Sequence, residues 1–345
     1  MEAKGYLYHH NNSFKLESGS ALPGFQLKYT TLGKLNPERS NVVWVCHALT
    51  GDSFFNEWWE GLFLEGSVFD PNDYFIICAN VLGGCYGSTG PLSMNPKTEQ
   101  PFYHDFPIIT NHDIVMAFDQ LRVHLGIERI HTLIGASLGG QQVLTWAIQR
   151  PEIFEHIIPI ACNAKHSPWG IAINEAQRMA ITADQTWNSK TTKAGSEGLK
   201  AARAISMPTF RSFEAYESQS DEDDQKLDGY NAASYQRYQG EKLANRFNAF
   251  SYWTLTEVMD NHNVGRGFES LTEALNKIQA KALVVGIDSD VLFPTVEQEF
   301  IYKNIRNAQF EIIQSKYGHD AFLIEINKLK SIIQFFFKSK FVYNE

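Results

Sequence analysis

A serine in a glycine-rich turn is the first candidate for chemistry in this sequence. Residues 135–140 read GASLGG, with Ser137 between Gly135 and Gly139. A serine on a tight strand-to-helix turn needs neighbours without bulk two positions before and two after, so G-x-S-x-G is typical of a nucleophile elbow. A β-branched run precedes the turn and a helical stretch follows it to Arg150, which favours a nucleophile over a turn that merely contains serine.

Backbone N–H groups near this serine are candidates for an oxyanion hole. The N–H of Leu138 lies at the head of the predicted helix, where a free donor and the positive helix end would stabilise a developing oxyanion. The loop at residues 47–51 (HALTG) follows an apolar run at residues 41–46. Such a loop lies at the carboxyl edge of the sheet, so we assign Leu49 as the second donor and expect Thr50 to contact substrate. A plain strand-to-loop transition is the alternative for this loop.

An acid and a histidine follow late in the chain. The segment GIDSDVLFP carries Asp288 and Asp290 after one strand-like run, and YGHD carries His319 after the last one. Serine, then acid, then histidine is the order found in α/β-hydrolases. In that arrangement His319 takes the proton of Ser137 and an aspartate holds the imidazole tautomer. The pattern alone leaves both aspartates open, and a His-Asp pair by itself could be a hydrogen-bonded loop.

Alternating strand and helix patterns must position these groups. The first 35 residues alternate apolar and polar side chains, which predicts an antiparallel hairpin. Apolar runs predict buried strands at residues 41–46, 74–80, 131–134, 156–161, 281–286 and 309–313. Amphipathic periodicity predicts helices at residues 111–125 and 321–337, besides the helix after the serine. This order specifies an α/β-hydrolase fold with a mostly parallel sheet.

Residues 166–270 break the pattern. Strand-like runs vanish there, and aromatic and charged residues alternate at helical spacing. The acidic stretch at residues 218–228 (SQSDEDDQKLD) indicates an exposed, mobile loop. We therefore predict a catalytic domain of residues 1–165 and 271–345, with a helical cap, or lid, of residues 166–270 inserted after about the sixth strand.

Composition excludes several classes of protein. The 345 residues are 43% hydrophobic and 20% charged, and no apolar run approaches the roughly 20 residues of a membrane span. The amino terminus lacks a basic-then-apolar signal, so we expect a cytoplasmic protein without a membrane partner. A net charge of −9 argues against a nucleic-acid surface.

The four cysteines have neither C-x-x-C pairing nor Cys/His ligand spacing, so we expect no metal site. Cys46, Cys78 and Cys162 lie in apolar runs and are predicted to be buried free thiols. Cys85 lies in the glycine-dense loop of residues 81–91, which lacks the Gly-Lys-Ser/Thr of a phosphate loop.

Longer motifs resemble the homoserine O-acetyltransferases of the α/β-hydrolase superfamily over nearly the whole chain. The matching stretches are NVLGGCYGSTGP, GASLGGQQVLTWA, NEAQRMAI, GLKAARAISMPTFRS, SYQRYQGEKLANRFNAFSYWTLTEVMD, DSDVLFP and YGHDAFLIE. Leu138 replaces the methionine usual in the family, and the acidic stretch of the cap is a second departure. The family keeps an aspartate two residues before the Leu-Phe-Pro end of its motif, so the resemblance selects Asp290.

The resemblance implies transfer of an acetyl group from acetyl-CoA to L-homoserine, a step of methionine biosynthesis, through acylated Ser137. It implies that Arg211 binds the substrate carboxylate and Asp320 its ammonium, although Arg211 could instead be a solvent-facing cap arginine. Water must be kept from the acyl-enzyme, which a tunnel under the cap would achieve. Acetyl-CoA is expected as a co-substrate, with no permanently bound cofactor.

Three other functions stay open: acyl transfer with succinyl-CoA or to serine, ordinary ester hydrolysis, and non-catalytic binding on the same scaffold. The resemblance also implies a homodimer through the cap helices. The cap supports this with aromatic residues that a small cap could hardly bury alone, namely Tyr230, Tyr235, Tyr238, Phe247, Phe250, Tyr252 and Trp253.

Overall fold

An eight-stranded sheet forms the centre of the computed structural model, which describes residues 2–219 and 225–338. The strands are β1 (Lys4–His10), β2 (Phe25–Leu32), β3 (Val42–Cys46), β4 (Phe75–Ala79), β5 (Ile130–Ala136), β6 (Phe154–Ile160), β7 (Lys281–Ile287) and β8 (Ala308–Ile313). Their order is β1-β2-β4-β3-β5-β6-β7-β8. In this sheet order the strands from β4 to β8, including β3, are parallel, whereas β2 pairs antiparallel with both β1 and β4. The sheet is therefore mostly parallel, as predicted.

Both faces of the sheet are covered, which explains why its central strands are continuous apolar runs. In β3, Trp44 packs into the core on one face, while Val43 and Val45 pack into the core on the other. The side chain of Trp44 meets those of Phe118 and Trp146. Successive residues of a strand point to opposite faces, so both sets of side chains must be apolar here.

Helices cover the sheet and form the cap. The longer ones are α1 (Asn111–His124), α2 (Leu138–Gln149), α3 (Pro168–Thr182), α4 (Ser196–Phe210), α5 (Phe213–Gln219), α6 (Asn231–Ala244), α7 (Ala249–Asp260), α8 (Thr295–Asn304) and α9 (Ile326–Lys338). Short helical segments lie at Phe55–Trp58, Glu60–Leu62, Tyr103–Asp105, Leu271–Leu275, Gly318–Asp320 and Ala321–Ile324. Helices α3 to α7 lie between β6 and β7, where the sequence predicts the cap.

Local capping residues explain where several helices begin. Thr110 and Asp113 form a capping box at the start of α1. The hydroxyl of Ser167 accepts from the N–H of Gly170 at 3.2 Å, with Pro168 at the first position of α3. The side chain of Asn248 caps α7.

The antiparallel pairing predicted for the first 35 residues is present, because β1 pairs with β2. Around Gly19 the chain adds a two-residue pair of strands, Phe14–Lys15 with Ala21–Leu22. A second short pair joins Met94–Asn95 to Gln100–Pro101. The predicted final helix is interrupted at Glu325, which ends one short helix before α9 begins.

The expectation that the cap could not bury its aromatic residues is wrong for three of them. Phe247, Phe250 and Tyr252 are buried within the chain, whereas Tyr230 and Tyr238 are exposed. Within the predicted acidic loop, residues 220–224 lie outside the described part of the chain.

The remaining expectations concern thiols and membranes. Cys46, Cys78 and Cys162 are buried free thiols, as predicted, and Cys85 is half-buried. Among the described residues, no helix has the length and apolar character needed to cross a bilayer.

Candidate active site

The backbone turns sharply at Ser137. This residue follows β5 directly, precedes α2, and has φ 58° and ψ −125°. A Cβ at Gly139 would overlap the carbonyl oxygen of Cys46, so a side chain there would push the elbow away from β3. The glycine spacing thus reflects a close approach between the elbow and the neighbouring strand.

Asp290 and His319 form a buried pair. Nδ1 of His319 donates to Oδ2 of Asp290 at 2.6 Å. The other oxygen of Asp290 accepts from the N–H groups of Leu292 and Phe293 at 2.8 and 2.9 Å. These bonds fix the carboxylate, and they place the proton of the imidazole on Nδ1, so Nε2 is free to accept one.

The electrostatics of this pair favour a charged imidazole. Burial lowers the pKa of His319, but the charge of Asp290, its hydrogen bond and the charge of Asp320 outweigh burial, so the pKa is raised overall. A base with a raised pKa accepts a proton more readily, which suits a group that must deprotonate a hydroxyl.

Asp288 lies outside this arrangement. Its side chain is exposed and accepts from the N–H of Ser315 at 2.9 Å. Of the two aspartates that the pattern left open, the structure therefore brings only Asp290 to His319.

Ser137 and His319 line one cavity between the sheet and the cap. Its volume is about 530 Å³. Further lining residues are Leu49, Thr50, Asn174, Gln177, Arg203, Phe210, Lys242, Arg246, Asp320 and Phe322. The carboxyl edge of the sheet forms its floor and cap helices α3, α4 and α6 contribute to its roof.

Leu49 lines the cavity and Leu138 begins α2 directly after Ser137, so both predicted backbone donors lie near the serine. Within the described part of the chain, the N–H groups of Leu49 and Leu138 donate to no protein acceptor. His47 holds the loop of Leu49, because its Nδ1 donates to the carbonyl of Ala48 at 2.8 Å and its Nε2 accepts from Val81 at 3.1 Å. Burial lowers the pKa of His47, so the imidazole that makes both bonds is neutral.

Arg211 and Asp320 lie together rather than apart. Nε of Arg211 is 3.1 Å from Oδ2 of Asp320, and both side chains are largely buried. The contact is an ion pair without hydrogen-bond alignment, since Nε of Arg211 has no hydrogen-bond partner among the described residues. Burial raises the pKa of Asp320 despite the opposing charges of Arg211 and Arg203. The Nε–H of Arg211 is therefore a donor without an aligned acceptor in the described part of the chain, although it lies beside the carboxylate of Asp320.

Arg203 is a cation that the sequence motifs did not single out. It lines the cavity directly, and its guanidinium lies 4.9 Å from the ring centroid of Phe210, whereas Arg211 is not among the lining residues. Both arginines occur in the motif GLKAARAISMPTFRS, but helical spacing alone does not tell which of two cap arginines faces the sheet.

Thr50, in the loop that follows β3, is hydrogen-bonded to the cap. Its carbonyl accepts from Nη1 of Arg246 at 2.7 Å and its hydroxyl from Nη2 at 3.3 Å. The same guanidinium donates to the hydroxyl of Tyr86 at 2.5 Å, in the glycine-rich loop. Arg246 thereby ties the cap to two loops at the cavity rim.

A buried polar network holds the roof of the cavity. Asp260 of α7 accepts from Asn174 at 2.8 Å and pairs with Arg178 at 2.5 Å, both of α3. Arg178 also donates to Thr256 at 3.2 Å. The network fixes α3 against α7, and Asn174 also lines the cavity. No sequence motif indicates this network, because the partners lie about 80 residues apart.

Comparison with known proteins places the chain in a family. The chain matches the α/β-hydrolase fold family over residues 41–325. A homoserine O-acetyltransferase of Cyclobacterium marinum is 50% identical over 337 residues, which are 98% of this chain and 96% of the relative.

Solved structures agree in fold. A homoserine O-acetyltransferase from Bacillus anthracis has a TM-score of 0.93 at 24% identity, with 100% of both chains covered. Esterase E22 has a TM-score of 0.90 at 20% identity, with 98% of this chain and 100% of that chain covered. Transferase and esterase share this architecture, so the fold alone does not separate the two activities.

The chain is an α/β-hydrolase, as its sheet, elbow and family match show. Within that superfamily it belongs to the homoserine O-acetyltransferase family. The resemblance inferred from its motifs, and with it the prediction of an enzyme of this family, is confirmed.

Proposed function

We propose that the protein transfers the acetyl group of acetyl-CoA to the hydroxyl of L-homoserine, a step of methionine biosynthesis, through an acetyl-Ser137 intermediate. The observation that carries this proposal is one cavity lined by Ser137, by His319 in its bond to Asp290, and by groups of both charges. The names of the curated relatives favour homoserine as the acceptor and acetyl as the transferred group.

The first half-reaction acylates the serine. Nε2 of His319 takes the proton of Ser137 while Oγ attacks the thioester carbonyl, and the oxyanion receives bonds from the N–H groups of Leu49 and Leu138. Collapse breaks the carbon–sulfur bond, and the proton on His319 passes to the leaving thiolate. Asp290 stabilises the imidazolium during both transfers.

The second half-reaction releases the ester. His319 takes the proton of the homoserine hydroxyl, whose oxygen attacks the acetyl carbonyl of Ser137. Collapse returns the proton to Ser137 and frees O-acetylhomoserine. The reaction balances without a metal or a redox partner.

Arg211 and Asp320 suit a zwitterionic acceptor. The Nε–H of Arg211 is buried beside Asp320 without an aligned partner among the described residues, so a substrate carboxylate reaches it when the ion pair with Asp320 opens. Asp320 follows His319 directly and lines the cavity, so an ammonium bound there would lie close to the base. Arg203, Lys242 and Arg246 are cations that line the cavity itself, and Thr50 contributes at its rim.

A single variant tests the covalent intermediate. Ser137→Ala should abolish thiol release from acetyl-CoA and keep the fold, because it removes the nucleophile and little volume. Wild-type protein with acetyl-CoA alone should gain one acetyl mass on the peptide that contains Ser137, measured by mass spectrometry. A label on another peptide, or strictly sequential kinetics, would contradict the intermediate.

The choice of substrates needs a matrix of four reactions. Thiol release is measured with acetyl-CoA and with succinyl-CoA, each in the presence of homoserine or serine. We expect the acetyl-CoA and homoserine pair to be fastest. Rapid thiol release without any amino acid would instead identify a hydrolase, and no release in any arm, with p-nitrophenyl acetate also untouched, would identify a binding protein.

A further inference from the structure

Two histidines and a glutamate meet at the sheet edge opposite the active site. His131 lies near the start of β5, and Glu155 and His156 lie near the start of β6, the neighbouring strand. One ligand atom from each of the three side chains lies within 4.8 Å of the other two. Ser137 follows the other end of β5, so this cluster is separate from the proposed catalytic cavity.

The hydrogen bonds of His156 prepare it as a ligand. Its Nδ1 lies 3.1 Å from the carbonyl oxygen of His131. A carbonyl oxygen can only accept, so Nδ1 carries the proton and Nε2 keeps its lone pair. A metal-binding imidazole commonly donates its other N–H to a backbone carbonyl in this way.

His131 is oriented by a second polar contact. Its Nδ1 lies 2.9 Å from the hydroxyl of Thr132, the next residue of β5. The ring centroids of His131 and His156 are 5.0 Å apart.

Aromatic side chains shield the cluster on one side. The ring of Phe337, in α9, lies 5.7 Å from that of His131 and 5.2 Å from that of His156. Tyr74 contacts His131 at 5.2 Å. Glu155 is exposed, so the cluster is open to solvent on its carboxylate side. This combination of a hydrophobic wall and an open side gives an ion both a dry environment and a path of entry.

We propose that His131, Glu155 and His156 form a binding site for a divalent transition-metal ion of the Zn²⁺ class. Two imidazoles and one carboxylate are a donor set that suits Zn²⁺, with a solvent molecule as a fourth ligand. Bonds of about 2.0–2.2 Å require ligand atoms roughly 3.3 Å apart, so the cluster must contract, which the exposed side chain of Glu155 permits. The ion would join the starts of β5 and β6.

No sequence motif indicates this site. His131 lies 24 residues before the adjacent pair Glu155 and His156, which is not the short spacing typical of zinc motifs. Only the pairing of β5 with β6 brings them together.

Zinc titration of the untagged full-length protein tests the proposal. Isothermal calorimetry should detect about one Zn²⁺ per chain for this site. Glu155→Gln and His131→Gln should each weaken binding by about tenfold or more, since each removes a direct ligand. His9→Gln is the matched control, because His9 is an exposed histidine on β1 beside His10 and should not affect this affinity.

Two further measurements separate ligation from a general loss of structure. Zn²⁺ should raise the melting temperature of the wild type and of His9→Gln, but not that of Glu155→Gln, whose side chain is exposed and nearly isosteric. Co²⁺ in place of Zn²⁺ should give the visible absorption of a four-coordinate site, lost in Glu155→Gln. Absence of zinc binding, or binding unchanged in both ligand variants, would overturn the proposal.

Discussion

Ser137 is held in a backbone conformation that favours glycine. Its φ of 58° places a side-chain-bearing residue in the left-handed half of the map, at a cost of about 1–3 kcal/mol. The flanking strand and helix are buried and supply the packing that holds it there. The strained conformation exposes Oγ at the amino terminus of α2. The packing of the flanking strand and helix offsets the conformational cost of placing this hydroxyl.

The raised pKa of His319 sets the expected pH dependence. Below that pKa the imidazole is protonated and cannot accept the proton of Ser137, so acylation should fall as pH falls. Single-turnover acylation by acetyl-CoA should rise with pH through an apparent pKa above the ordinary value of about 6.5 and then level off.

Asp290→Asn removes the charge that contributes most to raising the pKa of His319 against the effect of burial. The apparent pKa of His319 should therefore drop, and the plateau rate should fall by roughly 10³- to 10⁴-fold, since the tautomer is no longer enforced. Asp288→Asn is the matched control and should leave the profile unchanged, because the side chain of Asp288 is exposed. A comparable loss in Asp288→Asn, with Asp290→Asn active, would reverse the assignment of the acid.

Arg211 should govern the acceptor and leave the donor half-reaction alone. Acylation involves no amino acid, so Arg211→Ala should acylate at a near-normal rate. Transfer to homoserine should lose about 2–4 kcal/mol of transition-state stabilisation, the scale for stranding one partner of a buried charge pair. Arg211→Lys should recover only part, because a point charge does not reproduce the guanidinium fork. The measurement is single-turnover acylation followed by a chase with homoserine or water.

Arg203→Ala is the informative comparison for this experiment. If the carboxylate binds Arg203 instead, the acceptor-specific loss will appear in Arg203→Ala and not in Arg211→Ala. Equal slowing of acylation and transfer in Arg211→Ala would place Arg211 in the donor site or in the fold.

At the scale of the element, the first turn of α8 carries the carboxyl group of Glu297, whose charged form is disfavoured by burial. Burial raises the pKa of Glu297 to about 7, with a smaller contribution from the charge of Asp290. One carboxyl oxygen is 3.4 Å from Nδ2 of Asn163, and the other is buried without a partner. A carboxylate near a helix amino terminus is normally favourable, but desolvation outweighs that benefit here.

Glu297→Gln should stabilise the protein at alkaline pH. The folded state holds the proton of Glu297 up to a pKa of about 7, whereas the unfolded chain releases it near 4.5, so stability is lost as pH rises between these values. The variant should be close to the wild type at pH near 4.5 and more stable by on the order of 1 kcal/mol above pH 8, after allowance for partial solvent screening. Urea unfolding at the two pH values measures the difference.

Glu299→Gln controls for helix charge. Glu299 lies in the same helix, where its exposed carboxylate pairs with Lys303 at 3.0 Å. Its removal should change stability little at either pH. A pH-independent effect of Glu297→Gln, or destabilisation above pH 8, would show that the proton of Glu297 is not held by the fold.

Secondary-structure elements could be predicted from the sequence where successive residues are all buried. Strands β3, β4 and β7 are nearly continuous apolar runs, and the glycine spacing of the elbow is a short motif, although the contact that requires Gly139 is with Cys46 of β3. Strand β1 escaped prediction because it is an edge strand with mostly exposed residues, so its sequence, KGYLYHH, carries no clean alternation. The break at Glu325 depends on packing of α9 rather than on a proline or glycine.

Side-chain identities at the site were less predictable than the elements. Family motifs could place Ser137, Asp290 and His319 at loop ends, because chain order and sheet topology restrict them. Arg203 could not be preferred over Arg211, since both lie on cap elements whose rotation relative to the sheet is set by long-range contacts. The same limit applies to the network around Asp260, which joins two cap helices.

At the scale of the whole molecule, the cap exposes apolar side chains that have no role in the cavity. Phe213 is 78% exposed and Met179 is 62% exposed, and Tyr230 and Tyr238 remain exposed besides. The aromatic residues Phe247, Phe250 and Tyr252 pack inside the chain, so they no longer support association. The prediction of a dimer through the cap therefore depends on the family resemblance and on the exposed residues Phe213, Met179, Tyr230 and Tyr238.

We therefore expect a homodimer at micromolar concentration, measured by sedimentation velocity. Phe213→Asp and Met179→Asp should each shift the protein towards monomer, because a charge at the centre of an apolar interface must be desolvated. Val296→Asp is the matched control, since Val296 is 66% exposed on α8, outside the cap, and its substitution should leave the dimer intact. A wild-type monomer would contradict the dimer itself, whereas a dimer that both cap variants leave intact and Val296→Asp disrupts would move the interface from the cap to the catalytic domain.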